Sequence, residues 1–405
     1  MNKIEALIEQ YCSEGVDFKE LGELGEFYGG LTGKNKNDFL EGNAQFISYM
    51  NVFSNIEVNT EIDTFVRVDE NELQNKVEYG DVLFTGSSET PDECGMSSVL
   101  TKKINEPLYL NSFCFGYRLT DKSMFLPGFL KYLFRDENIR KQIGQTASGV
   151  TRFNVSKKRF ARVQIPIPPL PVQEEIVNIL DKFTSLEAEL EAELEARKTQ
   201  YEFYRNQLLN FEGKDVEWKN LGEIGRVCMC KRVMKNETAA IGEIPFYKIG
   251  TFGGHPDAYI SRTLYENYRT NFSFPKKGDI LISASGTIGR TVIYDGTPAY
   301  FQDSNIVWID NNERVVSNKF LFHFYKIVKW KTDGGTISRL YNDNLSKTRI
   351  PVPPLHEQER IVEILDKFDA LVNDISEGLP AEIRARRKQY VYYRNKLLTF
   401  KPLAN

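Results

Sequence analysis

The first stretch whose composition suggests chemistry is GGLTGK, Gly29–Lys34, where glycines and a lysine resemble a phosphate cradle. A phosphate loop of that kind needs G-x-x-x-x-G-K and then a serine or threonine, opening from a buried strand. Tyr28 stands where the first glycine belongs and Asn35 follows the lysine. The segment reads instead as a glycine loop that offers Lys34, Asn35 and Lys36 to a partner. The three histidines, His255, His323 and His356, form no paired metal spacing. Cys228 and Cys230 make a C-x-C with no second pair nearby to complete four ligands, and read as half-buried strand residues. No G-x-S-x-G elbow, no G-x-G-x-x-G after a strand and no N-P-P-Y-like motif occurs, and Pro91-Asp92 and Pro256-Asp257 lack a downstream acid-x-lysine partner. The expectation is a non-catalytic chain that binds no metal or cofactor of its own.

What remains is binding chemistry. FTGSSE (Phe84–Glu89) and SASGTIGR (Ser283–Arg290) are small, hydroxyl-rich turns after matching strands. Such turns approach a phosphate backbone closely and donate N–H and O–H groups. Ser87 and Ser88 in the first, and Ser283, Ser285, Thr287 and Arg290 in the second, are the candidates. Arg152, Asn154, Lys157 and Lys158, and later Lys231, Arg232, Arg339, Asn342 and Lys347, are the residue types that read base edges or hold phosphates. Singly, each is an ordinary solvated surface residue; the recurrence of the set gives it weight. The net charge of −4 argues against a polyanion partner, but the charge is unevenly spread. Residues 1–161 carry 18 basic and 24 acidic side chains, residues 213–348 carry 19 and 14, and no acid lies between Glu137 and Glu174. That gap holds Arg140, Lys141, Arg152, Lys157, Lys158, Arg159 and Arg162, a local basic stripe of the kind that touches nucleic acid.

These residues must be positioned by something, and the chain shows what by writing it twice. IPIPPLPVQEEIVNILDKF (Ile165–Phe183) recurs as IPVPPLHEQERIVEILDKF (Ile350–Phe368), 185 positions later. QYEFYRNQLLNF (Gln200–Phe211) recurs as QYVYYRNKLLTF (Gln389–Phe400), 189 later, so the second copy has gained four residues between its blocks. Pro168, Pro169 and Pro171, and Pro353 and Pro354, fit extended chain before a helix start. Ile176, Ile179, Leu180, Phe183, Leu186, Leu190 and Leu194 then draw one apolar stripe, matched by Ile361, Ile364, Leu365, Phe368 and Leu371. The spacing predicts two helices of about thirty residues, well above the common length of about eleven, packed side by side through the stripe as a coiled-coil-like pair, the alternative being that each packs on its own module. The intervening segments echo more faintly. VDFKELGELG pairs with VEWKNLGEIG, EYGDVLF with KKGDILI, GFLKYLF with KFLFHFY, and GVTRFNVSKKRF with GTISRLYNDNLSK. The predicted class is α+β, two homologous, mixed and β-rich modules separated by two long helices. The boundaries expected are 1–161, 162–212, 213–348 and 349–405, giving module, spacer, module, spacer.

The doubled IPxPPLxxQExIVxILDKF and QYxxYRNxLLxF blocks between divergent modules resemble the specificity (S) subunit of type I restriction–modification systems, across essentially the whole chain. LEAELEAELEA (Leu186–Ala196) resembles the tetrapeptide repeats of the type IC branch, and GGLTGKNKNDFLEGNAQFISYMNVFSN looks like a recurrent class of target-recognition domain. The resemblance implies that each module reads one half of a split, asymmetric double-stranded DNA sequence, within a circular, pseudo-twofold arrangement. It also implies that the helices space the readers and dock two methyltransferase subunits, which use S-adenosylmethionine. Motor/endonuclease subunits would add ATP- and Mg2+-dependent cleavage. A docking scaffold or decoy that no longer reads DNA is the rival. An odd count of five cysteines, and no run of eighteen apolar residues, place the expectation in the cytoplasm, away from membranes. If the helix is a ruler, one more LEAE unit within Leu186–Glu193 adds about 6 Å of helix at 1.5 Å per residue, one to two base-pair steps. Methylation mapping should then find a changed gap between two unchanged half-sites; an unchanged gap rejects the ruler.

Overall fold

The computed structural model describes residues 3–333, 338–374 and 376–403. The GTISRLYNDNLSK segment therefore lies partly outside the described residues. The chain forms two compact units: one from the chain up to Leu190 together with the chain from Ile383 onward, the other from Glu191 to Glu382. No described helix is long and apolar enough to cross a membrane.

In the first unit a four-stranded antiparallel sheet runs in the order Gly25–Gly29, Cys114–Leu119, Val82–Thr85, Ser97–Val99. A three-stranded sheet follows as Phe65–Val66, Ala44–Ile47, Leu108–Leu110, its last pair parallel. Asp17–Glu20 pairs with Gln164–Ile167, tying the module's entry to its exit. The second unit repeats the plan. Its four strands are Gly225–Cys228, Ile306–Asn311, Ile280–Ser283 and Thr291–Ile293, and its three are Tyr259–Ile260, Ile244–Tyr247 and Tyr300–Phe301, again with a parallel last pair. Glu217–Asn220 and Arg349–Val352 tie entry to exit. Faint sequence echoes thus mark one topology used twice.

The echoes fall where the backbone is most constrained. VLFT and ILIS are buried on both faces, as continuous apolar strands of a covered sheet must be. Just before them, Gly80 and Gly278 take φ of +88° and +96°, a region that favours glycine. The next residues, Asp81 and Asp279, are buried and accept from the backbone N–H of Glu78 at 2.8 Å and Lys276 at 2.7 Å, closing the same turn in each module. Cys228 and Cys230 prove fully buried, not half-buried.

The helices depart from the expected pair of equals. The central helix runs Leu170–Leu208, 39 residues, with Pro171 inside its first turn, where a missing N–H costs nothing. Only Pro168 and Pro169 lie before it. Its counterpart breaks into Leu355–Asn373 and Leu379–Leu398. Gly378 and Pro380 sit at the restart, where a proline is tolerated, and the second copy's extra length lies between its blocks at this interruption.

Each unit takes the proline-to-helix segment of one copy and the QYxxYRN block of the other. In the first unit Phe183 stacks on Tyr393 at 5.4 Å and Arg387 pairs with Glu187, so these helices run antiparallel, while Leu397 and Leu398 enter the core with Val172, Ile176 and Leu180. In the second, Tyr201 and Tyr204 stack on Phe368, and Leu209 and Phe211 join the core of Ile361 and Leu365. Ile176, Leu180, Ile361 and Leu365 are core residues of their own unit and leave no face free for docking. Ile179, Phe183, Leu186, Leu190, Leu194, Ile364 and Phe368 are half-buried and Leu371 is exposed.

The spacer helices are pinned by one buried amide in each unit. Gln173 accepts from Leu126 N at 2.9 Å and donates to Met124 O at 2.9 Å and Pro168 O at 2.8 Å. Gln358 accepts from Ser317 N at 2.9 Å and donates to Val315 O at 3.0 Å and Pro353 O at 2.8 Å. One helical turn or more further on, Tyr132 Oη donates to Asp181 Oδ1 at 2.5 Å, and His323 Nε2 meets Asp366 Oδ1 at 2.7 Å. Burial pushes the His323 imidazole below its ordinary value, against the pull of Asp366. Gln173→Ala orphans one buried N–H and two carbonyls, each worth about 1–3 kcal/mol when left unpaired. We expect the first unit to lose about 3 kcal/mol and residues 124–126 to lose hydrogen-exchange protection, with residues 315–317 unchanged; undiminished protection at 124–126 counts against the clamp.

Candidate nucleic-acid interface

In the first module the chain leaves strand Val82–Thr85 through Gly86 and pairs Ser87 and Ser88 with Asn154 and Phe153. Arg152 Nε donates to Ser87 Oγ at 3.1 Å while its guanidinium lies 5.7 Å from the Phe113 ring centre. Tyr49 Oη donates to the Ser87 carbonyl at 2.8 Å. Tyr49, Met50, Phe53, Ser87, Ser88, Glu89, Glu93, Thr151 and Arg152 line a cleft of about 450 Å³.

The second module builds the same junction with other side chains. Ser285 pairs with Arg339, Ser285 Oγ donates to Asn305 Oδ1 at 2.8 Å, and Arg339 Nη2 donates to Asn305 Oδ1 at 3.2 Å and Ser304 O at 3.3 Å. Ser304 has φ of +58°, the one described non-glycine residue in the left-handed region, so the turn it shapes is strained. Arg232 Nε bonds Asp303 at 2.8 Å. A cleft of about 740 Å³ opens here, lined by Met229, Arg232, Ser304, Asp333, Arg339, Leu340, Tyr341, Asn342 and Asp343. The two junctions share a backbone hydrogen bond: Val155 N donates to Gly86 O at 3.0 Å and Leu340 N to Ala284 O at 2.8 Å. Asn154 and Arg339 therefore hold one position, 185 residues apart, and the register of the helix repeat extends into the clefts.

Other candidates are placed less openly. Lys34 is turned against Glu72, which hydrogen bonds from Lys34 and Gln74 hold down to about 2. Asn35 caps a short turn by accepting from Asn37 N, and Lys36 is exposed within that turn. Ser283 is buried and holds its own loop, donating to Thr287 O and accepting from Arg290 N, and Arg290 Nη1 donates to Phe252 O. Arg140, counted above in the basic stripe, is a structural residue bonded to the carbonyls of Asp92, Cys94 and Gly95, and burial lowers its pKa to about 10. Lys157, Lys158, Arg159 and Arg162 stay exposed, with Lys157 5.6 Å from the Phe115 ring centre, and Lys231 lies 5.1 Å from that of Phe272. Tyr49, Phe113, Ser304, Asn305 and Tyr341 were not legible as site residues, because loops distant in sequence bring them in. Among the described residues no group of three or more His, Cys, Asp or Glu could hold a metal ion.

Each cleft thus mixes hydroxyls, arginine and carboxylates with aromatic side chains, Tyr49 and Phe53 in the first and Tyr341 in the second. Such a set suits the donor and acceptor edges of bases; carboxylates repel phosphates but accept from cytosine N4. Two α+β modules of one topology, each presenting such a cleft, define a duplicated binding protein. The family model for the type I restriction modification DNA specificity domain matches this chain twice, at residues 13–196 and 213–385, and the chain belongs to that family. Among relatives, a chain of Haemophilus influenzae named as a type I restriction enzyme specificity subunit is 58% identical over 264 residues, covering 62% of this chain and 68% of that one. The EcoR124I/EcoR124II specificity subunit of Escherichia coli is 38% identical over 267 residues, 60% of this chain and 64% of that one. The fold matches the type I S subunit of M. genitalium with a TM-score of 0.52 at 16% identity, covering 95% of this chain and 96% of that one. A chain from a solved type I system matches with a TM-score of 0.62 at 18% identity, covering 95% and 97%.

The Lys34–Glu72 contact decides whether that lysine is available to a partner. By NMR, the Glu72 carboxyl should titrate near 2, and Lys34→Ala should return it toward the ordinary glutamate value of about 4.3. Because the folded value is depressed, the contact persists above that range and is lost only as pH falls through about 2. A Glu72 already titrating at the ordinary value in the parent chain means that Lys34 is free.

Proposed function

We propose that this chain is the DNA-reading subunit of a type I restriction–modification complex, working in the cytoplasm. Each cleft reads one half of a bipartite, asymmetric duplex target. The spacer helices set the gap between the halves and hold two methyltransferase subunits, with motor/endonuclease subunits joining the full complex. The chain supplies recognition alone; S-adenosylmethionine, ATP and Mg2+ serve the partner subunits. The observation that carries this reading is the double match of the DNA specificity domain, once on each module. The shared junction of a small-residue turn with an Asn- or Arg-bearing segment supports it.

The test is adenine-methylation mapping in cells that express this chain with its methyltransferase subunit, against cells lacking this chain. A two-part motif should appear only with the chain present; an active methyltransferase that marks no such motif would reject the reading. Arg339→Ala should degrade one half of the motif and Arg152→Ala the other, at about 1–3 kcal/mol of discrimination per lost base contact. If either substitution altered both halves together, one reader per half would be the wrong division.

A further inference from the structure

We propose that the second module grips the DNA backbone on a surface separate from its reading cleft, through Lys329, Lys331, Lys347 and Arg349. This rests on the reading of the chain as a DNA-binding subunit and adds the place where phosphates sit. The four cations line a cleft of about 460 Å³ over Phe324, Ile327 and Val328. Lys329 and Lys331 are exposed and have no ion pair among the described residues. Lys347 reaches Asp343 only at 3.5 Å with both side chains largely in water, a contact that contributes little. Arg349 is exposed, with its guanidinium carbon 5.5 Å from the Trp218 ring centre and no ion pair among the described residues, so its N–H groups are available.

What separates this surface from the reading cleft is its sign. Asp333 and Asp343 line the reading cleft, whereas no carboxylate lines this one. The two share a wall: the short helix Asn342–Ser346 gives Asn342 and Asp343 to one cleft and Asn344 to the other, with Lys347 just past its end. A lined-up set of hydrogen-bonding groups with acids suits base edges, while unpartnered lysines suit the point charge of a phosphodiester. The first module keeps part of the arrangement. In the 185-residue register Arg162, exposed and without a described ion pair, stands where Lys347 stands, but Gln164 replaces Arg349. The stronger grip therefore belongs to the module with the basic excess.

The test uses the complex of this chain with its methyltransferase subunit, titrated over a range of KCl with a duplex carrying the mapped motif and with a scrambled duplex. Neutralising two phosphate contacts removes about two units from the slope of log K against log salt, since each contact contributes roughly 0.9. K329Q/K331Q should show that reduction on both duplexes, weaken both by the same factor, leave the methylated motif unchanged and leave thermal unfolding unchanged. K329R/K331R should restore the parent slope. An unchanged slope overturns the proposal. So does a changed motif, which would put the lysines on base edges, or loss of the methyltransferase subunit with an unchanged slope, which would put an acidic protein surface there. A parent complex that prefers neither duplex rejects the sequence-reading function; the slope on the scrambled duplex still decides the grip.

Discussion

A buried side-chain amide is what converts two generic elements, a module and a long helix, into one rigid unit. Gln173 and Gln358 lie at full burial where the extended proline segment turns into helix, and each satisfies one backbone N–H and two carbonyls. No other residue of that length has a donor pair and an acceptor on one head group, so glutamate or leucine would leave orphans in the core. The clamp fixes where the helix begins and which face it turns inward. Ile176 and Leu180, or Ile361 and Leu365, then fall into the core, and Asp181 or Asp366 meets Tyr132 or His323. The glutamine is identical in both copies, and so is the aspartate further along the helix, yet the aspartate's partner differs, a phenol in one copy and an imidazole in the other.

The same logic separates what the two modules share from what they do not. Strand order, the Gly-Asp turn and the junction after the central strand are backbone solutions, and they recur. The side chains around the junction are free to differ: Ser87, Arg152 and Phe113 in one, Ser285, Asn305 and Arg339 in the other. Several of the first module's cations are engaged within the fold. Arg118 is spent on Glu78 and Asp81, Lys131 on Glu57 and Asp181, and Lys34 on Glu72, while Arg135 and Arg140 bond backbone carbonyls. Among the described residues from 141 to 162, cations stand exposed with no acid interleaved, so a negative sum coexists with a positive edge.

Much of the architecture was legible because the chain is duplicated. An interval of 185 fixed a register without any second sequence, and apolar spacing located the central helix, which at 39 residues starts earlier and runs longer than that spacing implied. Periodicity did not reveal the interruption after Asn373, because a helix stripe says nothing about a glycine and proline that arrive between two apolar blocks. Nor did it say which partner the stripe would meet. Ile176 and Leu180 are spaced as well for a neighbouring helix as for the module that in fact buries them. Around the junctions, Arg152, Asn154 and Arg339 stood out by residue type and recurrence, whereas Phe113, Ser304 and Asn305 come from loops whose approach is set by sheet packing. Lys34 shows the opposite failure: its loop context suggested a free cation, and only the fold brings Glu72 to it.

The duplication also accounts for the way the chain ends are used. In the second unit the block Gln200–Phe211 runs directly on into Val216 and the module that buries it. In the first unit the equivalent block lies at the far end of the sequence, so the connection must be made without a peptide bond. It is made by backbone hydrogen bonds, Val16 N to Lys401 O at 2.8 Å and Leu403 N to Val16 O at 3.0 Å. Gly15, at φ +108°, lets the two segments approach so closely that a Cβ there would lie 2.6 Å from Pro402 O. Two backbone bonds are weak next to a covalent link, each contributing about 1 kcal/mol net. The burial of Leu397 and Leu398 in the first core must therefore do most of the holding. Because the first unit takes Ile383 onward as well as the chain up to Leu190, it cannot finish folding until those late residues have been made, whereas the second unit is built from Glu191–Glu382 alone.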